Sequence, residues 1–332
     1  MANTAKYDVL GLGNAIVDVI APVEDAFLTQ QDITKASMTL IDEARATALY
    51  QAFPSASETS GGSAANTIAG IAGLGANTAY CGKVADDTLG ETFSHDLRAT
   101  GADFNTVPLC NGPATARCLI AVTPDAQRSM STYLGASSLF GVDDLDENAI
   151  KNAAITYMEG YLFDRDEAKA AFIHAAEIAA AAGRKTALTL SDLFCVDRHR
   201  SSFLHLVRGH IDILFANEAE LLSLYETTNF EDALANVRKD CRFAAITRSE
   251  KGSVLIDEND MVEVKAEPVE RVVDTTGAGD LYAAGVLYGL SRDLPLPVCG
   301  RFGSLVAAEI ISHYGARPHG DLKQLCNIPA DG

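Results

Sequence analysis

The segment "DTTGAGD" at 274–280 runs straight into "LYAAGVLYGL", which reads as a helix. Gly277, Ala278 and Gly279 fall at the helix mouth and Asp280 in its first turn. A helix beginning there leaves its first N–H groups without partners, and small residues let an anion approach them closely. The helix dipole adds partial positive charge at the same point. Those amides could stabilise charge developing on a transferred phosphoryl group, while Asp280 could take the proton of an attacking hydroxyl. A glycine-rich helix cap followed by a well-placed acid would have the same sequence.

Other stretches offer chemistry with an equally plain alternative. In "ANEAE" (216–220), Asn217 and Glu220 lie three apart on a first helical turn, where an amide and a carboxylate could hold a hydrated Mg2+; a capping box has the same spacing. "SGGSAANT" (60–67) gives Gly61 and Gly62 the freedom of a hinge and puts Asn66 on the next helix, within reach of a hydroxyl-bearing ligand; it also reads as a glycine turn. "GNAIVDV" supplies Asn14 and Asp18, suited to vicinal hydroxyls or to a turn and a surface acid. Arg117 and Arg128 could cap a phosphate, or sit exposed on a small sheet. Phe163 and Phe194 could stack on a base or fill the core. The histidines show no metal spacing, GxxxxGK[ST] is absent, and "GLGNAI" lacks the third glycine of a dinucleotide fingerprint.

The elements that must position these residues alternate. Strands are expected at 7–13, 78–84, 154–160, 185–192, 211–217 and 243–249, and helices at 42–53, 61–75, 86–101, 165–183 and 201–210, with another beginning at Glu218. That alternation predicts an α/β fold, a doubly wound and mostly parallel sheet with helices on both faces. Between 103 and 135 the pattern turns to hairpins ("NTVPLC", "TARCLIAVT", "RSMSTYLG"), which predicts a small appended β-sheet. Ligands of such sheets bind beyond the carboxyl ends of the strands, where the polar residues above fall.

Composition narrows the function classes. With 26 Lys+Arg against 45 Asp+Glu among 332 residues, the net charge of −19 disfavours nucleic acid and anionic lipid. The seven cysteines are scattered and never form CxxC, so neither a disulfide framework nor a zinc site follows. No signal peptide and no run of about 20 apolar residues is present, so a soluble, cytoplasmic protein is expected.

In order and spacing, the segments from "GLGNAIVDV" to "GARP" (315–318) resemble the PfkB family of sugar and nucleoside kinases, also called the ribokinase family. "DTTGAGD" is similar to its carboxyl-terminal signature, "SGGSAAN" to its amino-terminal one, "GKVADDTLG" to its GxVGxDxxG and "NEAE" to its NxxE. The resemblance implies a ribokinase-like fold that uses ATP and Mg2+. Gly277, Ala278 and Gly279 would form the anion hole and Asp280 would be the catalytic base. Asn14, Asp18, Gly61, Gly62, Ser63, Asn66 and Arg128 would hold the acceptor. Asn217, Thr247, Gly252, Gly277 and Gly279 would hold ATP, Glu220 would serve Mg2+ through water, and Asp274 would lie near a monovalent cation such as K+. "TRSEKG" departs from the family's T-x-G-x-x-G at Ser249. The expected units are 1–15, 59–102 and 136–332 as a large nucleotide-binding domain, with 16–58 and 103–135 as a lid. "GNAIVDV", "PDAQRSMSTYLGAS" and "HYGARP" resemble the adenosine kinase branch, so the expected reaction is phosphorylation of a nucleoside's primary hydroxyl, adenosine first. The alternatives are a sugar kinase for ribose, fructose or 2-keto-3-deoxygluconate, and a catalytically silent sensor. The partners expected are a small-molecule acceptor and at most a second copy of the chain.

Overall fold

The structure is a computed structural model, and it describes residues 5–125 and 127–329. In chain order the elements are β1 (Tyr7–Leu12), β2 (Ile16–Pro22), α1 (Asp25–Gln30), β3 (Met38–Leu40), α2 (Glu43–Ala52), β4 (Ser57–Gly61), α3 (Ser63–Gly73), β5 (Thr78–Cys81), α4 (Thr88–Ala99) and β6 (Asp103–Phe104). Next come β7 (Ala116–Val122), β8 (Arg128–Tyr133), α5 (Glu147–Lys151), β9 (Ala153–Glu159), α6 (Asp166–Ala181), β10 (Lys185–Thr189), α7 (Leu193–Gly209), β11 (Ile213–Asn217) and α8 (Glu218–Leu224). The rest are α9 (Phe230–Asp240), β12 (Phe243–Thr247), β13 (Ser253–Asp257), β14 (Met261–Val264), α10 (Ala278–Ser291), α11 (Leu296–Ile310) and α12 (Leu322–Leu325).

Strands such as β1 and β9 are apolar almost throughout and buried on both faces, the pattern of a parallel sheet covered by helices. They join a nine-stranded sheet ordered β14-β13-β12-β11-β10-β9-β1-β5-β6, parallel except for the β12-β13-β14 meander. On one face Ile68 of α3 and Leu281, Ala284 and Leu287 of α10 bury Tyr80, Tyr157 and Phe215. On the other, Phe172 of α6, Phe203 of α7 and Leu221 of α8 cover Leu10, Met158 and Leu188. The sheet is doubly wound, as expected.

A second, five-stranded sheet runs β3-β8-β7-β2-β4. Here the expected boundaries shift. The polar strand "SETSG" (57–61) pairs with β2, register Asp18↔Thr59, so 59–61 belongs to the smaller sheet. Asp103–Phe104 pairs with β5 in the large sheet, and "NTVPLC" makes only the isolated bridge Ala85↔Leu109. Neither stretch has an alternating pattern to read, because each is an edge held by its neighbour's backbone.

α7 starts at Leu193, well before 201: Asp192, read as a strand end, caps it by accepting from the Cys195 N–H at 2.6 Å. The large sheet's order reverses between β1 and β9, which opens a crevice at their carboxyl ends. The chain leaves β1 at that crevice for the smaller sheet and returns through β4 into α3.

Candidate active site

Gly277 caps α10 in the left-handed conformation, φ 78°, where a side chain would be strained, and a Cβ there would sit 2.8 Å from the Ala316 Cβ. Ala278 opens the helix, its N–H turned back to the Thr275 carbonyl at 3.2 Å, and a Cβ on Gly279 would meet nothing within 4 Å. The open space lies where the remaining first-turn amides have no intrahelical acceptors, a fit for a phosphoryl group.

Asp280 is half-buried in the first turn. Its Oδ1 accepts from Ser63 Oγ at 2.6 Å and its Oδ2 from Asn66 Nδ2 at 3.0 Å. Burial raises its pKa, and these two hydrogen bonds and the charge of Arg317 oppose that rise. The carboxylate is therefore poised to take a proton. Asn66 keeps its Oδ1 buried and unpartnered, an acceptor that a ligand hydroxyl would satisfy.

The hinge glycines serve the same space. Gly62, φ 94°, is the α3 cap, and a Cβ on it would lie 2.3 Å from the Asn14 carbonyl oxygen. Gly61 packs against the Asp18 carboxylate, which any Cβ there would strike. Asp18 itself rises to about 6, through burial and the Asp280 charge, against the pull of Arg317 and Arg128. Asn14 is buried, with its Nδ2 donating to Glu159 Oε1 at 2.9 Å and its backbone carbonyl accepting from the Tyr80 hydroxyl at 3.0 Å. The carboxylate at the end of β9 fixes the orientation of its amide.

Arg117 and Arg128 are both buried, and neither is a free surface arginine. Arg117 faces α2, donating to Thr47 Oγ1 at 2.8 Å between the rings of Tyr50 and Tyr133. Arg128 reaches from β8 across to the 274–280 loop, with Nη2 2.5 Å from Asp274 Oδ2 and Nη1 donating to Thr276 Oγ1 at 3.1 Å. Asp274 also accepts from the Thr276 N–H and hydroxyl and from the Gly315 N–H at 3.0 Å. Both carboxylate oxygens face donors, so this geometry does not fit a monovalent cation at Asp274.

The remaining predicted residues gather one side over, at the ends of β11 and β12, where Asn217 and Thr247 are register partners. Asn217 and Glu220 form a full capping box. Asn217 Oδ1 accepts from the Glu220 N–H, and Glu220 accepts from the Asn217 N–H at 2.9 Å and from its Nδ2 at 2.6 Å. Burial lifts Glu220 to about 7, the Asn217 N–H opposing and Asp192 adding to the rise. With both oxygens engaged, the pair fits a hydrated ion reached through water and no closer ligation. Gly252 takes φ 87°, with the Val264 carbonyl 2.0 Å from where a Cβ would lie, and Ser249 takes φ 51°, a conformation glycine adopts more readily.

Phe163 is core, stacked on Phe203 at 4.6 Å, whereas Phe194 is 59% exposed. Three residues at the crevice went unassigned in the sequence. Glu159 ties Asn14 to the Ala64 N–H of α3 at 2.9 Å and is pushed up to about 7 by burial. Arg317 is held on Ser60 and Ala65. Tyr161, exposed beyond the end of β9, donates its hydroxyl to the Ser191 carbonyl at 3.3 Å. "GARP" was the only sequence signal for any of them.

Comparison with known proteins extends the picture. The structure of adenosine kinase from Sinorhizobium meliloti is 52% identical, with a TM-score of 0.90 over 97% of this chain and 99% of that one. That of a probable sugar kinase protein from Rhizobium etli CFN 42 is 48% identical, with a TM-score of 0.90 over 97% and 98%. Adenosine kinase 2 of Arabidopsis thaliana is 25% identical over 95% of this chain and 97% of its own. No helix among the described residues is long and apolar enough to cross a membrane. The profile of the pfkB family carbohydrate kinases matches residues 32–321, and with that span the chain belongs to the family and is an ATP-dependent kinase.

Proposed function

We propose that this kinase moves the γ-phosphate of ATP to the primary hydroxyl of a nucleoside, adenosine giving AMP. One observation carries the reaction: Asp280 is held by Ser63 and Asn66 at the mouth of α10, and the same Asn66 keeps its buried Oδ1 unpartnered. The acceptor hydroxyl loses its proton to Asp280. Its oxygen bonds to the γ-phosphorus as the bond to the β-phosphate oxygen breaks, and ADP leaves. The α10 amides stabilise the equatorial oxygens, and Gly279 leaves them room to approach. Mg2+, when bound with ATP, neutralises charge on the β- and γ-phosphates. Asn217 and Glu220 are the residues that would meet its waters.

Asp18 extends from the smaller sheet toward the same space, placed for the vicinal hydroxyls of a ribose. The exposed rings of Tyr161 and Phe194 beyond β9 and β10 suit a base better than a free sugar would need. The likeness to an adenosine kinase supports adenosine in particular. The smaller sheet acts as a lid that excludes water as a competing acceptor.

A sugar acceptor is the second reading, favoured by the likeness to a probable sugar kinase. The deciding experiment is ATP consumption with Mg2+ against adenosine, inosine, guanosine, ribose, fructose and 2-keto-3-deoxygluconate. Adenosine is expected to give the highest kcat/KM. A free sugar exceeding it would move the acceptor to the second reading and leave Asp280 as base.

A further inference from the structure

Arg317 lies on the 315–317 segment, which touches both signature regions and belongs to neither. Gly315 donates to Asp274, and Ala316 packs on Gly277. Arg317 then crosses to the hinge. Its Nε and Nη2 donate to the Ser60 carbonyl at 3.1 and 2.9 Å, Nη2 also to Ser60 Oγ at 2.9 Å, and Nη1 to the Ala65 carbonyl at 2.7 Å. The Ser60 N–H is fixed from the other side by Asp96 Oδ2 at 3.2 Å. The guanidinium thus bridges Ser60, just before Gly61–Gly62, to Ala65 in the first turn of α3, across the turn that presents Ser63 and Asn66 to Asp280. A planar fork can span that gap, and an ammonium cannot.

We propose that Arg317 is a positioning residue for phosphoryl transfer: it locks the glycine hinge and supplies the buried positive charge that lets Asp18 and Asp280 stay ionised together. The inference rests on the reading of Asp280 as base and Asp18 as an acceptor ligand. Burial lowers the Arg317 pKa to about 10, and the charges of Asp18 on β2, Tyr80 on β5, Asp280 on α10 and Asp96 on α4 oppose that fall. Asp18 sees Arg317, Arg128 and Asp280; Asp280 sees Arg317, Ser63 and Asn66; and Glu159 behind them feels the Asp280 charge. Two carboxylates facing one acceptor space repel each other, and without a cation one would hold its proton near neutral pH.

The test separates charge from geometry. Arg317→Gln removes the charge. Its kcat/KM for adenosine should lose its acid limb at a pH higher by roughly one unit, because a nearby opposite charge lowers a carboxylate pKa by about that much or more. Arg317→Lys keeps the charge and loses the bridge. Its acid limb should stay, while KM for adenosine rises roughly tenfold or more through misplacement. Carboxyl-13C titration of the ligand-free protein, assigned with Asp18→Asn and Asp280→Asn, follows the same shift without any acceptor. It serves if adenosine proves a poor substrate. Unchanged titration and unchanged KM in both variants overturn the proposal. If Arg317→Gln does not fold, Arg317→Lys with a wild-type KM overturns it alone. An active Asp280→Asn enzyme would instead overturn the parent reading.

Discussion

Asp280 is held by two donors, Ser63 Oγ and Asn66 Nδ2, and it is the carboxylate whose proton affinity burial raises at the helix mouth. Asp280→Asn should therefore separate chemistry from stability. A positioned general base contributes about 10²–10⁴-fold, so kcat should fall by that range. The fold should not suffer. The Asn66 amide can turn its unpartnered Oδ1 toward the new Nδ2, and a carboxylate that is costly to bury is gone. The urea midpoint should hold or rise, and near-native kcat would remove Asp280 from the base role. At this scale the sequence was legible where a short motif holds the chemistry, as in "DTTGAGD" and "SGGSAAN". It was silent on Glu159 and gave Arg317 a place in "GARP" without a role, because what defines each is a partner far along the chain. Arg317 meets Ser60 at a separation of 257 residues, and no spacing rule reaches that far.

The termini of α3, α8 and α10 do the positioning, and each is built from local sequence. α8 is the informative one. "NEAE" satisfies a capping box and an NxxE motif at once, and the structure shows the box made in full. Glu220→Gln separates the two uses. Burial holds the folded-state pKa at about 7, above the ordinary value, so the folded form binds the extra proton. Its contribution to stability is complete below the unfolded pKa of about 4.3 and is lost as pH rises through 7. The glutamine variant lacks that decline. Its urea midpoint, compared with wild type, should therefore improve between pH 5 and pH 8, and KM for MgATP should rise, because the charge that would meet the ion's waters is gone. A wild-type KM for MgATP would confine the carboxylate to the cap, and a pH-independent difference in midpoint would remove the raised pKa. Central strands and helices were readable from their apolar runs. The β13–β14 hairpin, α9, α11 and the pairing of β4 and β6 were not, because edge strands and outer helices take their place from neighbours more than from their own pattern.

At the scale of the whole molecule, a buried ion pair ties β8 of the smaller sheet to the 274–280 loop: Arg128 with Asp274, with Thr276 and the Tyr314 ring beside it. Arg128 leaves its Nε buried without a partner, so the contact is incomplete as it stands, and an incoming phosphate could complete it. The pair therefore has two consequences: it ties β8 to the 274–280 loop, and an arriving anion must compete with Asp274 for the arginine. Arg128→Met removes the cross-link and keeps most of the side-chain volume. In the ligand-free protein, amides of β7 and β8 should exchange with deuterium faster than in wild type, by roughly tenfold for each 1.4 kcal/mol of lost closure. Exchange in β9 and β10 should be unchanged, because those strands are covered on both faces by helices independent of the smaller sheet. KM for the acceptor should rise together with a fall in kcat, since closure both retains the acceptor and excludes water. If exchange in β7 and β8 does not move, the sheets are held together by their shared apolar core and by the Arg317 and Asp96 contacts to Ser60 of β4. Arg128 would then be confined to the chemistry.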